Sequence, residues 1–246
     1  MLDIHCHILP GVDDGCPDLA ESLGLAQEMA KVGFRQIACS PHYGEGPGGD
    51  IDFNEHATRL EGLQKALREA EIPIELLSNA EHHLSPALFE RVESGRIMPL
   101  GGVGKWLLVE LPWNSIPNVQ DVLFRLSLKG FKLLLAHPER YTYLDRKVAE
   151  RLVEMGIKFQ LELGSFVGVY GRVAEKNARH YVKSGMSHVL GTDLHRLKQA
   201  KSWLQKGLGH LQKKYGEEFV TTGFSINPRK LIDDESADEL HGLRIQ

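Results

Sequence analysis

Cysteine is scarce: Cys6, Cys16 and Cys39 are the only three in 246 residues. An odd trio cannot all pair within one chain, which argues against a disulfide-stapled secreted scaffold and fits a reducing compartment. Long apolar runs are missing too. The densest, Leu133-Leu134-Leu135, is bracketed by Lys132 and His137, far short of the roughly 18–20 residues that a bilayer span requires. Met1-Leu2-Asp3-Ile4-His5 is not a basic segment followed by an apolar one, so no secretory signal is expected and the expected location is cytoplasmic. There is no excess of positive charge either. Lys and Arg number 29 against 33 Asp and Glu, a formal net charge of −4, which argues against nucleic acid as the main partner. What is present is ordinary for a folded chain, with 42% hydrophobic and 25% charged residues, and wholesale disorder is excluded. The twelve histidines call for an explanation.

Short apolar runs alternate with helix-like stretches along nearly the whole chain. Runs at 2–4, 36–39, 74–77, 106–109, 131–135, 157–161 and 188–190 read as seven strands. The stretches between them are helical in pattern. The first opens on Asp18-Leu19-Ala20-Glu21, which resembles a capping box, and closes near Gly33, and Ser85-Pro86 supplies a cap and a first-turn proline for another. A basic helix is expected from about Leu197 to Tyr215. Alternation on this scale predicts βαβ units and a parallel sheet. Seven units without a linker predict an α/β fold in one domain over 1–246, a closed but distorted (β/α)7 TIM-like barrel. The stretch 44–49 reads as a surface loop, and residues after about 234 as a frayed tail.

Metal-competent residues fall after the strands. His5, His7, Asp13 and Asp14 follow the first, His42 the second, Glu81 the third, Glu110 the fourth, His137 the fifth, and Asp193 and His195 the seventh. In a parallel barrel all of these lie on one rim, the C-terminal one, so residues remote in sequence converge there. His5 and His7 are two apart on a strand and share a face, and Asp193 and His195 repeat the spacing. Imidazoles and carboxylates without thiolates suit Mn, Fe or Zn in a catalytic rather than a structural site. Carboxylates massed at one rim raise each other's pKa, a cost that bound divalent ions or solvent exposure would remove.

Other chemistries fail on their residues. A cysteine phosphatase loop needs arginine six positions after its cysteine, and here those positions hold Val12, Ser22 and Glu45. Gly101-Gly102-Val103-Gly104-Lys105 resembles a phosphate loop, but Trp106 stands at the Ser/Thr place and Pro99 at the first glycine. Neither His-Glu-x-x-His nor Gly-x-Ser-x-Gly occurs.

The motifs Asp3-Ile4-His5-Cys6-His7, Ser40-Pro41-His42-Tyr43, Ala136-His137-Pro138-Glu139-Arg140-Tyr141 and Gly191-Thr192-Asp193-Leu194-His195 resemble the PHP (polymerase and histidinol phosphatase) superfamily. Ile8-Leu9-Pro10-Gly11-Val12-Asp13-Asp14-Gly15 and the His-Pro-Glu-Arg-Tyr run are similar to the bacterial manganese-dependent protein-tyrosine phosphatases of polysaccharide operons, the CpsB/CapC/YwqE type. The resemblance implies about two to three divalent ions, Mn foremost with Fe or Zn as alternatives. It assigns His5, His7 and Asp193 to one ion, with Glu81 bridging to a second held also by Glu110 and His137, and Asp14, His42 and His195 to a third. Arg140 matches the arginine placed against the phosphate, while Tyr43 and Arg196 are further substrate-contact candidates. Phosphotyrosine hydrolysis by a metal-bridging hydroxide follows, acting on a phosphoprotein, foremost the tyrosine-rich tail of a bacterial tyrosine kinase regulating capsule or exopolysaccharide synthesis. Two alternatives stand beside it: a PHP phosphatase of a small metabolite such as histidinol phosphate, and a non-catalytic metal-binding module of an assembly.

Overall fold

In the computed structural model, which describes residues 1–44, 52–114, 117–234, 240 and 242–243, the apolar runs become parallel strands. They are β1 (Leu2–Cys6), β2 (Gln36–Cys39), β3 (His42–Tyr43), β4 (Glu75–Ser78), β5 (Glu81–His83), β6 (Trp106–Glu110), β7 (Lys132–Ala136), β8 (Lys158–Glu162) and β9 (Val189–Gly191). All seven expected strands are among them. The two unexpected ones, β3 and β5, are continuations of β2 and β4 beyond a kink. Pro41 has no N–H to give the ladder, so pairing breaks there. Side chains fill the gap: Ser40 Oγ donates to the Ile4 carbonyl at 3.1 Å, and Asn79 Nδ2 donates to the same carbonyl at 3.2 Å and to Ser40 Oγ at 2.9 Å.

The strands pair in the orders β1-β2-β4 and β3-β5-β6-β7-β8-β9. The remaining seam, between β9 and β1, is joined just past β9, where Asp193 N donates to the His5 carbonyl at 2.8 Å and His7 N to the Leu194 carbonyl at 3.0 Å. A distorted (β/α) barrel results. Gly191 makes the seam possible, because a Cβ there would stand 2.6 Å from Gln160 Nε2 and 3.1 Å from His5 Cβ.

Helices α1 (Leu19–Lys31), α2 (Phe53–Glu69), α3 (Pro86–Glu93), α4 (Val119–Ser127), α5 (Arg146–Glu154), α6 (Leu163–Phe166), α7 (Gly171–Lys183), α8 (Leu197–Gln199), α9 (Gln205–Tyr215), α10 (Glu217–Thr221) and α11 (Asn227–Asp233) follow in chain order. Asp18 caps α1 as expected, its carboxylate accepting from Glu21 N at 2.9 Å, whereas Ser85 makes no side-chain cap bond at α3. The expected basic helix is α8 and α9 joined by a wider π turn at Ala200–Leu204. No helix among the described residues is long and apolar enough to cross a membrane.

The apolar interior has two layers. Ile4, Ala38, Leu108, Leu134 and Val189 form an inner cluster, and a larger shell including Leu25, Leu123 and Phe159 lies between strands and helices. The sequence pattern did not suggest helices α10 and α11; the π turn Thr222–Ile226 between them brings Phe224 edge-on to Phe34 at 5.3 Å, and α11 adds Leu231 to the inner cluster. The frayed-tail expectation is corrected at two positions. Leu240 joins the inner cluster and Leu243 the shell, both buried, with Lys158 Nζ donating to the Leu240 carbonyl and Leu243 N to that of Ser187. Burial of the two leucines offsets part of the chain entropy lost in ordering them. Residues 235–239, 241 and 244–246 of that tail, and 45–49 of the glycine-rich stretch, lie outside the described residues.

Candidate metal centre

A cavity of about 330 Å³ opens at the C-terminal ends of the strands. Asp14, His42, Glu81, Glu110, His137, Asp193 and His195 line it, which is seven of the nine ligand candidates. The other two, His5 and His7, are wholly buried. His137, just past β7, and Asp193, two residues past β9, lie in the left-handed region, with φ of +36° and +50°. Such backbone costs on the order of 1–3 kcal/mol for a residue with a side chain. The turn at Asp193 is fixed by the seam hydrogen bonds, and that at His137 by Pro138, which disfavours the ordinary helical conformation before it.

Four acceptor atoms meet at the centre. His5 Nε2 lies 3.3 Å from Glu81 Oε2, 3.3 Å from Asp193 Oδ1 and 3.3 Å from His7 Nε2; His7 Nε2 lies 3.3 Å from Glu81 Oε2 and 3.2 Å from Asp193 Oδ1. The other ring nitrogens are engaged outward. His7 Nδ1 donates to Asp13 Oδ2 at 2.7 Å and His5 Nδ1 to Gln160 Oε1 at 2.9 Å. With those protons outside, two neutral imidazoles would present lone pairs to each other and to two carboxylate oxygens. Only a cation or added protons make that arrangement favourable. Five of the six separations among these atoms are 3.2–3.3 Å and all four lie within 4.8 Å of one another, close enough to share one ion. The donor set fits a divalent ion.

Two further clusters adjoin this one. Asp14 Oδ1 is 3.4 Å from both His42 Nε2 and His195 Nε2, and the His195 ring stacks on His7 with centroids 3.9 Å apart. His42 Nδ1 is 3.1 Å from Glu81 Oε2 and 3.4 Å from Glu110 Oε1. His137 Nε2 meets the other oxygen of Glu81 at 2.7 Å. Glu81 is therefore shared by four imidazoles. The electrostatics agree. Burial pulls the His5 pKa down, but Glu81 and Asp193 outweigh it and push it up to about 9. Burial likewise opposes ionisation of Glu81, yet the facing histidines, His5 first, hold its carboxyl well below the usual range.

Arg140 stands at the edge of this array, its Nη1 donating to Asp193 Oδ2 at 2.9 Å and to Glu162 Oε1 at 3.0 Å. Its guanidinium lies between two aromatic rings, 4.7 Å from the centroid of Trp113 and 4.2 Å from that of Tyr170. The two other substrate-contact candidates are not brought here. Tyr43 is buried against Phe53 and His82 with the Arg91 guanidinium over its ring, because the kink after β2 turns it away from the cavity. Arg196 donates to the Gly15 carbonyl and does not line the cavity.

Four residues join the site that sequence reading passed over. His83 lines the cavity and its Nδ1 is 3.1 Å from Glu110 Oε1; it stands two positions after Glu81, the same spacing as His5-x-His7. Glu162 ends β8 as Glu110 ends β6, a signal of position missed by ending the strand at 161. It groups with His137 and Asp193 as a further possible ion site, and burial with the nearby Asp193 raises its pKa well above the ordinary range. Gln160, in the middle of β8, and Trp113, three residues past β6, carried no signal of their own.

The sequence profile of the family described as "Capsular polysaccharide synthesis, CpsB/CapC" matches residues 1–233. Tyrosine-protein phosphatase YwqE of Bacillus subtilis is 32% identical over 228 residues, covering 89% of this chain and 86% of that protein. Tyrosine-protein phosphatase CpsB of Streptococcus pneumoniae is 26% identical over 243 residues, covering 96% and 99%. Among solved structures, one from a study of YwqE and CpsB as metal-dependent tyrosine phosphatases superposes with a TM-score of 0.85 at 28% identity over 95% of each chain. An organophosphorus hydrolase from Deinococcus radiodurans shares the fold at a TM-score of 0.59 and 15% identity, covering 94% of this chain and 92% of its own.

Proposed function

The chain belongs to the CpsB/CapC family, and from that membership we infer that it is a metal-dependent tyrosine phosphatase of the CpsB and YwqE type. The observation that carries this reading is the convergence of His5, His7, Glu81 and Asp193 on one point, with Arg140 beside it. We assign His5, His7, Asp193 and Glu81 to a first ion. Glu81, Glu110 and His137 would hold a second, with His42 Nδ1 within reach, and Asp14, His42 and His195 a third. Nitrogen and oxygen donors without thiolate favour Mn, with Fe or Zn as alternatives.

When bound, divalent ions polarise phosphoryl oxygens and lower the pKa of water. The chain does the rest. Glu81 spans neighbouring clusters through its two oxygens, which fixes their separation. Arg140, tied to Asp193 and Glu162 and flanked by two rings, holds a permanent positive charge in one place. There it neutralises charge on the oxygens of the group in flight. In hydrolysis the water oxygen bonds to phosphorus and the bond from phosphorus to the tyrosyl oxygen breaks. A phenol has a pKa of about 10, so the leaving oxygen needs little help from an acid. The substrate we propose is a phosphotyrosyl protein, foremost the tyrosine-rich tail of a bacterial kinase in capsule or exopolysaccharide synthesis, met in the cytoplasm. The family description and an open rim site that a flexible tail could reach support this.

The test is turnover of a phosphotyrosyl peptide against histidinol phosphate by manganese-supplemented protein. Preferential cleavage of the peptide is expected; cleavage of the metabolite alone overturns the substrate assignment.

A further inference from the structure

The phosphatase reading gives no role to the one lining residue of the cavity that cannot ionise. Nine of the ten lining residues are ionisable, and Trp113 is the exception. Two tyrosines fasten the segment that carries it. Leu111 N donates to the Tyr141 hydroxyl at 2.8 Å, and the Tyr143 hydroxyl donates to the Pro112 carbonyl at 2.5 Å. The indole is parallel to the His137 ring within 6°, centroids 5.7 Å apart, and has Arg140 against it at 4.7 Å. Even so, Trp113 is 54% exposed, whereas Trp106 and Trp203 are 2% and 8% exposed. A pre-positioned indole that still shows half its surface has area left for a partner.

The chemistry of that partner follows from the neighbours. Arg140 takes the phosphoryl oxygens in the reading above, and in an aryl phosphate the ring is one ester bond from phosphorus. The other aromatics near the rim do not line the cavity: Phe166 is 1% exposed, Tyr43 is buried in its own cluster, and the partly buried Tyr170 backs Arg140 at 4.2 Å from outside the lining. We propose that Trp113 receives the aromatic ring of the substrate and makes this site select aryl over alkyl phosphoryl groups. The inference rests on the phosphatase reading for the placement of the phosphoryl group, and it adds the residue that reads the leaving group.

Phenylphosphonate and methylphosphonate share a head group that hydrolysis cannot remove, and they differ in the ring. Their Kd values are measured by calorimetry on manganese-supplemented wild type, Trp113→Ala and Trp113→Phe. Trp113→Ala is expected to weaken phenylphosphonate ~10-fold, the scale of one aromatic pair, and to leave methylphosphonate unchanged. Trp113→Phe should stay near wild type. Phenylphosphonate should also perturb the fluorescence of wild type, through its one exposed tryptophan, and methylphosphonate should not. Equal weakening of both ligands in Trp113→Ala would mean that the indole acts only by steadying Arg140 or His137, and overturns the proposal; so does no weakening of either. Since binding is read without turnover, ring-dependent binding by a protein that cleaves no phosphotyrosyl peptide supports the role of Trp113 and sinks the phosphatase reading instead.

Discussion

His7 illustrates how a side chain is made ready for a cation. Its Nδ1 proton is committed to Asp13 at 2.7 Å, so its Nε2 must face inward as an acceptor. Asp13 is itself fixed, because Gly15 N and His42 N both donate to it, at 2.9 and 3.0 Å. Burial disfavours the Asp13 carboxylate, but the His7 hydrogen bond prevails and holds its pKa down at about 2. Asp13→Ala should therefore keep the fold and weaken metal binding by about 10- to 100-fold, measured by competition with a chromophoric chelator; unchanged affinity would contradict the orienting role. The cysteines make the opposite case. Cys6, Cys16 and Cys39 are buried free thiols, and burial raises the pKa of each, that of Cys16 to about 12. None is a ready nucleophile at neutral pH. Replacing all three by alanine should leave kcat/KM for an aryl phosphate within about threefold of wild type, and loss of turnover in a variant that still folds would revive a thiol mechanism.

Strand ends were the readable elements. Alternating apolar and helical runs gave all seven main strands, and the parallel geometry then placed residues as distant as His5 and Asp193 on one rim. What stayed hidden were features set by tertiary pairing. Pro41 and Asn79 divide two strands, and only the finished sheet shows β3 and β5 as separate pieces that turn Tyr43 away. Helices α10 and α11 lack a strand beside them in sequence, so no alternation announced them. Arg196 looked free because its acceptor, the Gly15 carbonyl, is remote in the chain. The β8–β9 pairing also buries His188 just before β9, where its Nδ1 accepts from Phe159 N at 3.1 Å. Burial, assisted by Lys158, drives the His188 pKa to about 3. Above the unfolded value of about 6.5 both states are neutral there and stability is unaffected by this group. As pH falls below about 6.5, the unfolded chain binds a proton that the folded chain refuses, and stability drops by about 1.4 kcal/mol per unit until near 3. Urea midpoints at several pH values should fall more steeply for wild type than for His188→Gln; equal slopes would contradict the assignment.

At the scale of the whole molecule, the candidate ligands are spread around the barrel and concentrated at its seam. His5 comes from β1 and His7 just follows it, Asp193 and His195 follow β9, and Glu81, Glu110 and His137 come from β5, β6 and the end of β7. Among the described residues, four groups of donors share His7, His42, Glu81 and Asp193 between them, so the ions would tie together strands that the chain order keeps apart. Such a site needs a finished barrel to exist, and the barrel in turn leaves acids and imidazoles crowded at one rim. The most direct measurement is metal content per chain together with aryl phosphate turnover, followed as a chelator strips the protein and manganese is returned. The account predicts about two to three ions per chain, turnover falling to background as they leave and recovering as they return. A stripped protein that still works at the full rate would contradict it.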